Sequence, residues 1–127
     1  MDTTPLQHAA GFNALCEDAK SRIQELSADE VEQLLAKDTS IQLLDVRDRD
    51  EWEQGHLPNA TFLSKGWIEA KIEKLVPGKS TTIVLYCGGG NRSALAADNL
   101  QKMGYQNVSS MIGGIKGWVK QGKPLSQ

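Results

Sequence analysis

The sequence predicts a single α/β domain in which a mainly parallel sheet carries helices on both faces. Short apolar runs rich in β-branched residues alternate along the chain with segments in which apolar residues recur at helical spacing. The length of 127 residues suits one hydrophobic core, and no internal repeat or low-complexity tract divides it. Ligands of such sheets bind beyond the carboxyl ends of the strands, so we look there for one functional site.

Two helices open the predicted order of elements. The apolar residues whose spacing predicts the first helix, over 12–23, are Phe12, Leu15, Cys16, Ala19, Ile23 and Leu26. Ser27 and Glu30 have the form of a capping box and predict a second helix over 28–36. Because amphipathic helices usually cover their own domain, we expect the first helix to pack on the core. The alternative is that its Cys16 face docks a partner or a second copy.

Eight further elements follow. In chain order the pattern predicts a strand over 41–46, a short helix over 48–55, a strand over 60–63, a helix over 64–76, a strand over 81–86, a helix ending at 104, a strand over 107–111 and a helix around 118. Asp48 and Ser64 are the expected helix starts, and Gly55, Pro77 and Gly104 the expected stops. The strand over 81–86 is nearly continuous in β-formers, which places it at the sheet centre.

Composition argues against several classes of function. The formal net charge is -2, with 14 basic and 16 acidic residues in no long run of one sign, so no nucleic-acid partner is expected. The start at Met1 lacks signal-peptide character and no apolar run has membrane-spanning length, so we expect a cytoplasmic protein without membrane contact. Cys16, Cys87, His8 and His56 are isolated, which predicts neither a disulfide framework nor a metal site.

Cys87 directly follows the expected central strand, and glycines and then a helix follow Cys87. A sulfur in that place faces the helix N-terminus and unpaired amide groups, which favour the thiolate and make it a nucleophile. Gly88, Gly89 and Gly90 leave the approach open and allow amides to turn inward around an anion. Arg92, in the first helical turn, adds a positive charge for an oxyanion.

A structural interpretation of this loop is that Cys87 is a small buried apolar residue beside an ordinary turn. The three successive glycines and the arginine weaken this structural interpretation. Ordering glycines costs backbone entropy, and an ordinary turn does not require three of them. The loop therefore favours a catalytic cysteine.

Three motifs in order resemble the rhodanese family, in particular its single-domain members, over about residues 24–125. The segments Leu44–Arg47, Glu51–Trp52 and Gly55–Ala60 resemble its first signature. The loop Cys87–Ser93 resembles its Cys-x-x-Gly-x-Arg-Ser active loop, and Gly113–Trp118 resembles its second signature. The resemblance implies a three-layer fold with a mainly parallel five-stranded sheet. It divides the chain into an N-terminal helical extension over 1–23 and a rhodanese domain over 24–127.

The resemblance also implies sulfur transfer. Cys87 would take a sulfane sulfur from a donor such as thiosulfate or a persulfide, hold it as a persulfide and pass it to a thiol or cyanide. The substrate-binding residues would be those of the loop, Gly88, Gly89, Gly90, Asn91, Arg92 and Ser93. No cofactor or metal is needed. The expected partners are a small sulfur donor, a thiol acceptor and in some cases a protein persulfide carrier, and the expected state is a monomer or weak homodimer.

Other functions stay open beside this one. A sulfur-relay or protein-binding module would use the same Cys87 but turn over small donors poorly. Phosphatases and arsenate reductases of related architecture are disfavoured, because their Cys-x5-Arg loop is one residue longer than the span from Cys87 to Arg92. We expect Asp45 and Arg47 to fix a turn by pairing with each other or with Glu51, and we expect His56 to be structural.

One departure from the family pattern concerns charge. Thiosulfate-using members often carry a basic residue directly after the cysteine, whereas this chain has Gly88 and Gly89. Less positive charge then meets a dianionic donor, which weakens the case for thiosulfate as the physiological substrate.

Overall fold

A computed structural model describes residues 9–127 and contains one sheet of five strands. The helices are α1 (Ala10–Lys20), α2 (Ala28–Lys37), α3 (Arg49–Glu53), α4 (Ile68–Leu75), α5 (Asn91–Lys102) and α6 (Gly114–Lys120). The strands are β1 (Gln24–Leu26), β2 (Gln42–Asp45), β3 (Thr61–Phe62), β4 (Thr82–Tyr86) and β5 (Asn107–Met111). Their order in the sheet is β1-β5-β4-β2-β3, and every pair is parallel. The predicted α/β class and the five-stranded parallel sheet are confirmed.

Two apolar clusters fill the spaces on the two faces of the sheet. On one face, strand residues such as Leu44 and Leu85 pack with Ile72 of α4 and Leu100 of α5. On the other face, strand residues such as Val84 and Met111 pack with Val31 of α2 and Trp118 of α6. Alternate residues of one strand enter opposite clusters, which is why the central strand is apolar throughout. Helices therefore cover both faces, as predicted.

The predicted first helix was too long. It ends at Lys20 instead of 23, and the chain then forms β1, which pairs with β5 at the edge of the sheet. Ile23 and Leu26 continue the helical spacing by coincidence, and a three-residue strand is too short to show its own period. Leu15, predicted on the apolar face of this helix, is 56% exposed. The helix does pack on the core, because Cys16 and Ala19 are buried where α1 lies against α5.

Ser64 does not cap α4. The N–H of Trp67 donates to the Ser64 carbonyl in a separate turn, and α4 begins only at Ile68. The capping boxes at Ser27 and Asp48 are both present. Within residues 9–127 no helix is long and apolar enough to cross a bilayer. The expectations about Met1 and His8 lie outside the described residues.

Candidate active site

Cys87 directly follows the carboxyl end of β4, and three glycines connect it to the N-terminus of α5. Its sulfur accepts a hydrogen bond from the N–H of Gly90 at 3.1 Å. Gly90 is the residue before α5 and has φ 105°, a conformation that glycine adopts without a side-chain clash. The positive end of the helix dipole and this amide both favour negative charge on the sulfur.

A buried pair of serines completes the surroundings of the sulfur. The Ser93 hydroxyl lies 3.5 Å from the Cys87 sulfur and 2.7 Å from the hydroxyl of Ser110 on β5. Both serines are fully buried. Ser93 can therefore donate to the sulfur while Ser110 donates to Ser93. Ser110 was not predicted, although a polar residue in an otherwise buried strand is a usable signal for such a partner.

The start of α6 holds the loop from the side. The N–H of Ile115 donates to the Cys87 carbonyl at 2.9 Å, and the N–H of Lys116 donates to the Gly88 carbonyl at 3.1 Å. These bonds require close approach of two backbones at Gly114, where a Cβ atom would lie 2.4 Å from the Cys87 oxygen. The second glycine signature therefore fixes the position of the cysteine loop.

Arg92 is bound by a carboxylate. Its guanidinium donates to Glu51 through two bonds, Nη1 to Oε1 at 2.8 Å and Nη2 to Oε2 at 3.1 Å. The bonds from Arg92 hold the pKa of Glu51 at about 2, and the same pair raises the pKa of Arg92. From the sequence, Glu51 was expected to serve only the neighbouring turn, and the structure adds its contact with the loop arginine.

A cavity of about 230 Å³ opens onto Cys87. Its lining residues are Phe12, Glu51, Cys87, Gly88, Gly89, Asn91, Arg92 and Lys116. Phe12 and Lys116 were not predicted as site residues, since they come from α1 and α6, far from the loop in sequence. A Cβ atom added at Gly89 would meet no atom within 4 Å, so the cavity is open beside it. The structure thus brings together residues from distant segments of the chain.

The helix α1 supports the loop from the outside. Lys20 donates to the Asn91 side-chain oxygen at 2.9 Å, and the Cys16 sulfur lies 3.9 Å from the Asn91 carbonyl. Burial raises the pKa of the Cys16 thiol. Cys16 is thus favoured as a neutral packing residue beneath the start of α5.

The other residues of the first signature hold the turn after β2. Arg47 forms a buried pair with Asp45, with Nη2 to Oδ2 at 2.8 Å, and also donates to the Gly55 carbonyl at 2.7 Å. The ring of His56 stacks on Trp52 with centroids 3.6 Å apart, and its Nδ1 lies 2.9 Å from the Leu57 carbonyl. Neither ring lines the Cys87 cavity. The expected pairing of Asp45 with Arg47 is confirmed.

Replacing Glu51 with glutamine is expected to lower stability and flatten its dependence on pH. The pKa of Glu51 is depressed in the folded state, so its contribution is fully present above about 4.5 and is lost as pH falls towards 2. Because both side chains are about a third exposed, we expect the loss at pH 7 to be only about 1 kcal/mol. Urea unfolding between pH 7 and pH 3 measures it.

The matched control is Glu53→Gln in the same helix, since Glu53 is exposed and forms no ion pair within residues 9–127. The stability gap between Glu51→Gln and the parent should shrink by more than half on acidification. Parallel stability curves for parent and variant would show that the pair with Arg92 does not stabilise the fold.

Comparison with known proteins places this chain in a family. The family model described as Rhodanese-like domain matches residues 27–121. A sulfurtransferase of Allochromatium vinosum is 31% identical over 103 residues, which cover 81% of this chain and 94% of the relative. The thiosulfate sulfurtransferase GlpE of Coxiella burnetii is 36% identical over 84 residues, 66% of this chain and 77% of the relative. The putative sulfur carrier protein YrkF of Bacillus subtilis is also similar, at 31% identity, and this chain spans only about half (52%) of its length.

Solved structures agree on the fold. A protein of unknown function from Rhodopseudomonas palustris, described as a possible tyrosine phosphatase, superposes with a TM-score of 0.85 at 30% identity, covering 96% of this chain and 98% of its own. The polysulfide-sulfur transferase homodimer of Wolinella succinogenes superposes with a TM-score of 0.79 at 30% identity, covering 92% and 88%. With the family model matched over most of its length, the chain belongs to the rhodanese-like domain family.

Proposed function

We propose that the chain is a sulfurtransferase in which Cys87 carries the sulfur as a persulfide. The observation that carries the proposal is that Cys87 lines a small cavity while its sulfur lies beside the Gly90 amide, at the start of α5. That surrounding stabilises an anionic sulfur without a metal or cofactor. Relatives named sulfurtransferase and thiosulfate sulfurtransferase support the same reaction class.

In the loading step the Cys87 thiolate attacks the outer sulfur of the donor. With thiosulfate, a sulfur–sulfur bond forms to Cys87, the donor's own sulfur–sulfur bond breaks, and sulfite leaves with the electron pair. Of the loop residues, Gly88, Gly89, Asn91 and Arg92 line the cavity in front of Cys87. Gly90 and Ser93 do not line it and contact the Cys87 sulfur instead, so the transferred sulfur would lie against these six residues. In the second step a thiol or cyanide attacks this sulfur and Cys87 leaves as the thiolate.

The description of one structural relative as a possible tyrosine phosphatase makes phosphate the alternative to weigh. Phosphate binding needs an arginine whose charge faces the anion. In this chain both terminal nitrogens of Arg92 are held by Glu51, which offsets that charge. Only four residues separate Cys87 from Arg92, so the loop is also short for a phosphoryl group. These two features favour a single sulfur atom.

Intact-mass measurement after donor treatment tests the proposal. We expect thiosulfate or polysulfide to add one sulfur atom to the chain, and cyanide to remove it as thiocyanate. Absence of any sulfur adduct with an intact Cys87 thiol would rule the proposal out. Hydrolysis of an aryl phosphate that depends on Cys87 would favour the phosphatase alternative instead.

Rates distinguish an enzyme for small donors from a relay module. Steady-state turnover of thiosulfate with cyanide is compared with the rate of persulfide loading from a cysteine desulfurase. Fast turnover of the small donor indicates the enzyme. Efficient loading from the protein donor with slow thiosulfate turnover indicates the relay, the role that the name of the Bacillus subtilis relative suggests for that protein.

A further inference from the structure

We propose that the sulfur acceptor is a small thiol that carries a carboxylate, and that Lys116, with Lys120 one helical turn further, binds this carboxylate. The inference rests on the proposed function and names the acceptor class of the same site. It follows from the position of Lys116, from the pairing of the other charges at the site, and from the groove that continues the cavity.

Lys116 lies where two cavities meet. Its side chain lines the Cys87 cavity and also an adjoining groove of about 540 Å³, and Glu51 and Gly88 line both as well. The backbone N–H of Lys116 donates to the Gly88 carbonyl, so the start of its side chain is fixed relative to the cysteine loop. A flexible ammonium group is therefore held at the entrance of the site.

The arginines at the site already have carboxylate partners. Glu51 neutralises Arg92, and Asp45 neutralises Arg47, which lines the groove. Neither Lys116 nor Lys120 forms a salt bridge or a side-chain hydrogen bond within residues 9–127. The uncompensated positive charge at the site thus comes from these two lysines of α6.

The fold does not require this pair of lysines. Lys116 and Lys120 are both exposed and stand four residues apart on α6, where like charges slightly destabilise a helix. A pair that is mildly unfavourable for folding, lies at the mouth of a nucleophile's cavity and forms no ion pair in the described part of the chain is available for an anionic ligand. It also supplies from α6 the positive charge that Gly88 and Gly89 do not provide.

The shape of the groove indicates an organic acceptor. Apolar side chains of Val119 and Leu125 line it beside Lys120, and they are 48% and 41% exposed. A compact inorganic donor fills only the cavity at Cys87, whereas a thiol with a short hydrocarbon chain extends from that cavity along the apolar wall. Its carboxylate then lies near Lys116 and Lys120, and its sulfur reaches the persulfide.

The transfer step balances without another reactant. The acceptor thiolate attacks the outer sulfur of the protonated Cys87 persulfide and forms a new sulfur–sulfur bond. The bond between the two persulfide sulfurs breaks, and its electron pair leaves on Cys87 as the thiolate. The proton stays on the transferred sulfur, which departs as the acceptor's hydropersulfide. Lys116 does not react; it raises the local concentration of the anionic thiol and orients it.

A single-turnover experiment tests the inference. The full chain is loaded with sulfur, its adduct is verified by intact mass, excess donor is removed, and decay of the persulfide is followed with 3-mercaptopropionate or its neutral isostere 3-mercaptopropionamide. Each protein is compared with the parent for one thiol at a time, so differences in thiol reactivity cancel. The variants are Lys116→Gln, Lys116→Arg and the distant surface control Lys74→Gln.

We expect Lys116→Gln to lower the second-order rate constant for 3-mercaptopropionate roughly tenfold, the effect of one unit charge a few ångströms away at intermediate screening. The rate constant for the neutral 3-mercaptopropionamide should change by less than about twofold. Lys116→Arg should retain the parent rate with both thiols, and added salt should slow the parent more than Lys116→Gln.

Equal losses with the two thiols, or no loss with either, would overturn the role of Lys116 while leaving the persulfide mechanism intact. Failure of the parent to form the adduct would overturn both. A similar loss in Lys74→Gln would assign the effect to net charge and would also count against the inference.

Discussion

Cys87→Ser is expected to abolish sulfur transfer and sulfur loading while leaving the fold in place. Serine is close to cysteine in size, and its oxygen can accept the hydrogen bond that the Gly90 N–H gives to the sulfur. An alkoxide is a far weaker nucleophile towards sulfur than a thiolate, and no persulfide can form on oxygen. Turnover of thiosulfate with cyanide should fall at least about a thousandfold, which is the scale of losing a covalent catalyst.

Cys16→Ala is the matched control, because Cys16 is also buried and is the other cysteine of the chain. Its replacement removes a sulfur that packs beneath Asn91, so we expect about 1 kcal/mol of lost stability. The one-sulfur adduct and turnover within about threefold of the parent should remain, the residual change reflecting that packing. An adduct that persists in Cys87→Ser but disappears in Cys16→Ala would assign the carrier sulfur to Cys16.

Local patterns in the sequence predicted the parts of the fold that local energetics determine. The strand before Cys87 is a nearly continuous run of β-forming residues, and the helix starts at Ser27 and Asp48 carry complete capping boxes. Each of these signals lies within a few residues. The edge strand β1 was missed because its three residues form a strand only through pairing with β5, some eighty residues later in the chain.

The site residues around Cys87 also divide into those that a local pattern predicts and those that only the fold brings together. The cysteine and its loop stand in one segment and were predicted, whereas Glu51, Phe12 and Lys116 reach the cavity from other elements. No spacing in a single sequence relates those positions. The parallel sheet brings the ends of β2, β4 and β5 to one edge, and Phe12 comes from α1, which packs against α5. Arg92 was predicted as a site residue. That Glu51 offsets its positive charge can be seen only from the contact between the two side chains.

Gly114→Ala is expected to be among the most damaging single substitutions in the chain. Gly114 has φ 56°, and its new Cβ would lie 2.4 Å from the Cys87 oxygen and 2.6 Å from the Gly88 carbonyl carbon and oxygen. These are backbone atoms and have no rotamer through which to move. The loop must shift and weaken the bonds from the amides of Ile115 and Lys116. We expect a loss of about 3–5 kcal/mol, a fall in Tm of roughly 15 °C, and at least tenfold lower turnover of the folded fraction.

Gly122→Ala is the control that separates the effect of the Cβ clash from the effect of a positive φ angle. Gly122 also has positive φ, 76°, but a Cβ there would meet nothing within 4 Å. It should therefore show only the strain of a left-handed alanine, about 1 kcal/mol, with unchanged turnover. Thermal unfolding and single-turnover loading of both variants measure the difference. If the two substitutions were equally mild, the close approach of α6 to the loop would not hold Cys87 in position. A larger effect at Gly114 means that the second signature, Gly113–Trp118, requires its glycine because the backbone at the start of α6 packs directly against the carbonyl groups of Cys87 and Gly88.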